Sequence, residues 1–174
     1  AKTDMKVSPK HRGITGFIAE KGKGFISGKD LNKLGYRGVD TTELIFQDFI
    51  ISHENVLGEI EGQGFYQVMD ALETGRINIA ARAVGVATAA FEAAIKYAQE
   101  RKTFGKPISE RQNIQNSLAD MATKIHAARL MTYDAAKKKD SGGLFDMEAG
   151  MAKLYASEMC GEVTLDAMRV FGGY

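Results

Sequence analysis

The chain has 174 residues, with 23 basic and 22 acidic side chains and a net charge of +1, enough for one good core or for one domain plus a piece of another. That balance lacks the basic field that phosphate-backbone binding needs, so no nucleic-acid partner is expected, and Lys137-Lys138-Lys139 reads as a solvated helix end. A single cysteine, Cys160, excludes an intramolecular disulfide, and three scattered histidines leave no metal-ligand spacing.

Cys160 lies in an alanine- and glycine-rich helical pattern, which points to small-residue packing rather than nucleophilic duty, in a reducing compartment. No apolar run approaches the roughly 20 residues of a membrane span, and no signal-peptide pattern opens the sequence. No membrane span is therefore expected. Both ends are expected to be cuts in a longer protein. The first residues read as strand material from inside a domain, and Phe171-Gly172-Gly173 at the far end should lead into something.

From Val7 to Leu57 the apolar runs are short and rich in phenylalanine and isoleucine. Gly13-Ile-Thr-Gly-Phe-Ile-Ala-Glu, Gly24-Phe-Ile-Ser-Gly and Thr42-Glu-Leu-Ile-Phe-Gln-Asp-Phe-Ile-Ile read as strands punctuated by glycine turns. Gly22-Lys-Gly-Lys-Gly lacks the spacing and the hydroxyl residue of a phosphate loop, and a hairpin turn is the better reading. After Gly64 the period changes. Ile77, Ala80, Ala81, Val84, Ala87, Thr88, Phe91, Ile95 and Ala98 recur at helical spacing, and Gly105 and Pro107 end that helix. Ile114, Leu118, Met121, Ile125, Ala128 and Ala135 mark a second helix from about Glu110 to Lys139. Met147, Met151, Leu154, Gly161, Leu165 and Met168 mark a third, from about Asp146 to Phe171. The expected fold is α+β: a short antiparallel β segment (1–60), then three long antiparallel helices (61–174) of an incomplete four-helix bundle, whose open side a fourth helix or a partner subunit would cover.

Four weak signals fall on helix ends or beside the β segment. Glu73-Thr-Gly-Arg76 reads as an intrahelical ion pair with Thr74 as a cap, or as an arginine offered to a ligand where the helix meets the β segment. Arg101-Lys-Thr-Phe104-Gly joins a cation that can fork onto a pyrophosphate to a ring that can cover a flat heterocycle. Arg111-Gln112 opens the second helix, where free N–H groups can hold phosphate or ribityl oxygens. Phe171-Gly172-Gly173 lets a ligand approach the backbone. Together they describe one shared anionic ligand.

These residues resemble the C-terminal part of an acyl-CoA dehydrogenase. The resemblance rests on Gly13-Ile-Thr-Gly-Phe-Ile, Lys33-Leu-Gly-Tyr-Arg-Gly, Asn55-Val-Leu-Gly, Gly64-Phe, Gly75-Arg76, Tyr97-Ala-Gln-Glu-Arg-Lys-Thr-Phe-Gly-Lys-Pro, Gln112, Leu118-Ala-Asp-Met and Phe171-Gly-Gly, and it covers nearly the whole chain. It implies the latter part of a middle β domain followed by most of a helical bundle, in a homotetramer (a dimer of dimers) that binds FAD between subunits. It implies cofactor contacts by Arg101, Phe104, Gln112, Gly172 and Gly173, with Arg169 where relatives commonly place a glutamine near the pyrophosphate, and acyl-CoA contacts by Glu73 and Arg76.

The implied reaction takes an α-proton from the acyl thioester with a glutamate while the β-hydrogen leaves as hydride to the flavin, giving trans-2-enoyl-CoA; electrons then pass to an electron-transfer flavoprotein. In most relatives the glutamate follows the Gly-Gly motif. In a minority it directly precedes the arginine of the first bundle helix, where this sequence has Gly75, and Glu73 lies about 200° around the helix from Gly75. No catalytic residue is therefore assigned, and the chain alone is expected to be inactive. The implied compartment is a bacterial cytoplasm or a mitochondrial matrix. The rivals are a non-enzymatic helical oligomerisation module and a flavin oxidase of the same fold.

Overall fold

The computed structural model describes residues 1–173 and divides into two compact units, Ala1–Met69 and the residues from Asp70 onward. In the first unit, β1 (Phe25–Ser27) pairs antiparallel with β2 (Leu44–Phe46), Ile26 opposite Ile45. The turn at Gly22–Gly24 is present, closed by the Phe25 N–H on the Gly22 carbonyl at 3.1 Å, but it leads into β1 from outside the ladder and joins no two paired strands. The Gly13–Glu20 run, read as a strand, makes only isolated bridges, Lys2 with Ile14 and Phe17 with Val56. Its hydrogen bonds go to scattered partners. Thr15 is buried, and its Oγ1 accepts the Gly62 N–H at 2.9 Å and lies 2.6 Å from Thr3 Oγ1. Gly64 then starts a helix hard against this run, donating to the Ile14 carbonyl at 2.8 Å; a Cβ there would lie 2.5 Å from the Gly16 nitrogen, so no larger residue fits.

That helix, α1, runs over Gly64–Glu100. A two-strand hairpin follows, β3 (Lys102–Thr103) with β4 (Lys106–Pro107), then α2 (Gln112–Asp140) and α3 (Asp146–Phe171). The bonds between helices set their directions. Lys139 reaches the Thr74 hydroxyl and Arg129 the Thr88 hydroxyl, so α1 and α2 are antiparallel. Lys138 pairs with Glu148 and Lys124 with Glu162, so α2 and α3 are antiparallel too. Tyr97 stacks on Phe171 at 4.6 Å between centroids, which brings the C-terminal ends of α1 and α3 together.

The helical core is built largely of alanine. Ala80, Ala87, Ala94 and Ala98 of α1, Met121, Ile125, Ala128 and Ala135 of α2, and Ala152, Ala156, Met159, Val163 and Ala167 of α3 are buried in one cluster. The apolar faces read from sequence for α1 and α2 are, with the exception of exposed Ala81, buried or half-buried. α3 spans the range read from its marker residues, but those residues do not line the core. Met147, Met151, Leu154, Leu165 and Met168 are exposed, and the buried stripe is the alanine-rich one. Nor do the α3 glycines seat a neighbouring helix: a Cβ at Gly150 or Gly161 would meet nothing within 4 Å.

Alanine also corrects the expectation of no membrane-length run. α1 contains an 18-residue window of mean hydropathy 1.2, long and apolar enough by length and composition to cross a membrane. Its alanines supply that hydropathy while one side of the helix builds the core just described, the usual place of such a helix in a globular bundle.

One ion pair at the α2–α3 turn gives a pH prediction. The Lys138 hydrogen bond, aided by the main-chain N–H of Glu148 in the first turn of α3, holds the Glu148 carboxyl below its usual range; the same bond holds the Lys138 ammonium above its own. The lowered carboxyl gives stability that is present above the unfolded carboxylate range and lost as pH falls through the lowered value. The raised ammonium gives stability that is full below the ordinary lysine value and lost as pH rises through the raised one. Glu148→Gln is thus expected to lower the melting temperature at about pH 7 and to match the wild type at about pH 2. Parallel melts that differ equally at both would refute this.

Candidate functional site

The meeting of the α1 and α3 ends forms a recess of about 540 Å³ lined by Tyr97, Arg101, Thr103, Ile108, Val170, Phe171, Gly172 and Gly173. Arg101 enters it from the residue after α1. Its N–H bonds the Tyr97 carbonyl at 2.8 Å and its own carbonyl takes the Ile108 N–H at 2.8 Å, so the backbone is held from both sides. The guanidinium is exposed and has no hydrogen-bond or ion-pair partner among the described residues. Across the recess α3 ends at Gly172, with φ 71° and ψ −130°, a backbone conformation that glycine adopts and side-chain-bearing residues avoid. An exposed cation thus faces an open stretch of glycine backbone.

Phe104 stands on the adjoining hairpin tip. The two residues joining β3 to β4, Phe104 and Gly105, both have positive φ, 51° and 78°. This is the pattern of the tight hairpin turns that favour Asn-Gly, and a phenylalanine held there costs roughly 1 to 2 kcal/mol. The ring gains little burial in return, being 98% exposed. Backbone strain is accepted to hold an aromatic face in the open.

Gln112 is the first residue of α2, exposed, and α2 has no side-chain cap, so its first N–H groups are available. Arg169 lies apart from the recess. Its Nη1 pairs with Asp166 Oδ1 at 2.6 Å, in a charged groove with Lys124 and Glu162. Glu73 and Arg76 form the ion pair that the sequence suggested, with Arg76 Nη1 at 2.6 and 2.7 Å from the two carboxylate oxygens. Thr74 caps nothing: the pair sits inside α1, and the Thr74 hydroxyl is held by Lys139. Arg101 lies 28 positions beyond Glu73, just past the end of the same helix, about 42 Å of rise. Cys160 packs against the core, half-buried, and burial pushes its thiol up, away from nucleophilic use. Arg111, named in sequence only for the helix start, proves to hold the hairpin: its Nη2 donates to the Thr103 carbonyl at 2.8 Å and its guanidinium lies 5.7 Å from the centre of the Phe104 ring. No local pattern marks that contact; only the fold of the hairpin onto α2 makes it. Among the described residues no group of carboxylate, histidine or cysteine side chains could hold a metal ion.

A profile of the acyl-CoA dehydrogenase C-terminal domain matches residues 62–174. The chain belongs to the acyl-CoA dehydrogenase family. It is 45% identical over its whole length to a protein described as the CarC subunit of a caffeyl-CoA reductase–Etf complex from Acetobacterium woodii, covering 45% of that protein. It is 44% identical over 99% of its length to the mitochondrial short-chain specific acyl-CoA dehydrogenase of Mus musculus, covering 42% of it. The solved butyryl-CoA dehydrogenase from Megasphaera elsdenii superposes with a TM-score of 0.91 and 44% identity, over 98% of this chain and 44% of that one. The chain thus spans less than half the length of these acyl-CoA dehydrogenase relatives. The α+β arrangement of a small antiparallel sheet and three long helices is that of the C-terminal part of the family fold.

Proposed function

We propose that the chain is part of a flavin-dependent acyl-CoA dehydrogenase, the whole of which removes hydrogens from Cα and Cβ of an acyl-CoA thioester to give a trans-2-enoyl-CoA. The recess carries the reading: Arg101, without a partner among the described residues, faces open glycine backbone at Gly172 and Gly173, beside an exposed Phe104 ring. A cationic fork, a flat apolar face and closely approachable backbone fit the pyrophosphate, ring and adenosine of FAD. When bound, that group supplies the two-electron acceptor. Arg101 binds its diphosphate, Phe104 covers a ring, Gln112 adds an amide hydrogen bond, and Gly172 and Gly173 admit the adenosine half. Arg169 adds positive charge nearby only by leaving Asp166.

Glu73 and Arg76 meet the acyl-CoA. They lie too far along α1 from Arg101 for one small recess to include both, which favours a centre assembled from two subunits, as in a homotetramer. The exposed Met147, Met151, Leu154, Leu165 and Met168 on α3 give such an assembly, or a fourth helix, apolar surface to cover. Glu73 engages both carboxylate oxygens with Arg76, a poor arrangement for a proton acceptor, so the base is the glutamate that the family places after the Gly-Gly motif. Residues 1–60 are the latter part of the middle β domain. An electron-transfer flavoprotein is the redox partner, in a bacterial cytoplasm or a mitochondrial matrix.

The reductase relative from Acetobacterium woodii favours a second direction for the same bond, saturation of a 2-enoyl-CoA, since a proton and a hydride can return by the paths they left.

The test is the visible spectrum of the purified chain titrated with FAD, followed by assay with acyl-CoA and a dye acceptor. A perturbed flavin band without sustained turnover is expected. An unperturbed flavin would favour the oligomerisation module, and sustained turnover would overturn the assignment of the base outside these residues.

A further inference from the structure

The hairpin base and the hairpin tip are held by different means. At the base, the Ile108 N–H bonds the Arg101 carbonyl at 2.8 Å and the Ile108 side chain is buried in the helical core. The tip has no such anchor. Phe104 keeps a left-handed backbone although its ring is almost fully exposed, and its one aromatic or cation contact among the described residues is the Arg111 guanidinium. Arg111 also takes the Thr103 carbonyl, the last acceptor before the turn, at 2.8 Å. The residue itself is fixed as the N-cap of α2, with φ −85° and ψ 128°, so both contacts hang from the start of a 29-residue helix. Besides the Thr103–Lys106 pairing of the short ladder, which closes the turn without setting the Phe104 ring, the turn has Lys106 to Glu110 at 3.8 Å, an exposed pair that holds little.

We propose that Arg111 is a positioning residue: it fixes the Thr103–Lys106 turn so that Phe104 presents its ring to a planar heterocycle while Arg101 stays free for the attached diphosphate. The inference rests on the dinucleotide reading for its ligand, but the posture of the turn belongs to the ligand-free protein. The planar fork matters, because one guanidinium both donates to a carbonyl and lies against a ring, which a lysine ammonium does poorly.

The test compares wild type, Arg111→Leu and Arg111→Lys, each with and without Phe104→Asn. Asparagine tolerates the left-handed turn position unaided, so a residue that acts by holding that position should matter little in its presence. In the ligand-free protein the backbone chemical shifts of residue 104 report the sign of φ. Arg111→Leu is expected to move them away from the left-handed range and to raise the Kd for FAD roughly tenfold in the Phe104 background, but less than about twofold in the Phe104→Asn background. Arg111→Lys is expected to follow Arg111→Leu. Unchanged shifts, an equal loss of affinity in both backgrounds, or full affinity in Arg111→Lys would each overturn the positioning role. If the wild type does not bind FAD, the cofactor reading fails, while the ligand-free shifts still decide the role of Arg111.

Discussion

Arg101→Ala is expected to raise the Kd for FAD by roughly 10- to 100-fold and to leave the fold as it was. A hydrogen bond to a charged group contributes about 1.5 to 3 kcal/mol, and an arginine fork on a diphosphate makes more than one, each charge-assisted. The side chain takes part in no internal hydrogen bond or ion pair among the described residues, while the Arg101 backbone is tied to Tyr97 and Ile108 whatever the side chain. Truncation therefore removes a ligand contact and little else, and stability should stay within about 0.5 kcal/mol of wild type. Arg101→Lys keeps the charge without the fork and should fall between the two. Flavin titration and thermal melts on the same preparations check this. An unchanged Kd would remove Arg101 from the site, and a loss of affinity matched by a loss of melting temperature would assign it to the fold.

Met121→Ala is expected to destabilise the helical unit by about 2 to 5 kcal/mol. Met121 is fully buried on α2, the largest such side chain among the described residues. Level with it, by the register of the Arg129–Thr88 and Lys124–Glu162 bonds, the core offers mostly short side chains, Ala94 of α1 and Val163 and Ala167 of α3. Short side chains cannot swing into a vacated volume, so the cavity should stay open, and the cost of a large-to-small change grows with the cavity left behind. Met168→Ala on α3 is the control. That side chain is 66% exposed, and its removal should cost no more than about 0.5 kcal/mol. Denaturant midpoints at equal slope decide between them, and a larger loss at Met168 would make the exposed stripe of α3 the true core.

The long helices, their order and the motif at their ends were legible from local pattern alone. Apolar residues at three-and-four spacing leave few alternatives over such lengths, and Gly105 with Pro107, or Ser141 with Gly142, stop a helix for local reasons that need no tertiary structure. The family resemblance was carried by the same stretches. The β segment was legible only as a class, because Phe- and Ile-rich runs announce strands without naming partners, and β1 finds β2 across residues 28–43. The tertiary structure decided which face of α3 is inside. That helix has two apolar stripes, and hydrophobicity alone favours the one with methionine and leucine. Packing chose the alanine stripe because α2 lies close enough to admit only small side chains along most of it. It also decided that Thr74 is a mid-helix partner of Lys139, that Arg169 pairs with Asp166, and that Arg111 donates to the Thr103 carbonyl beside a left-handed Phe104. Each depends on a rotamer or a backbone angle set by groups brought together in space, and no period in the sequence records those.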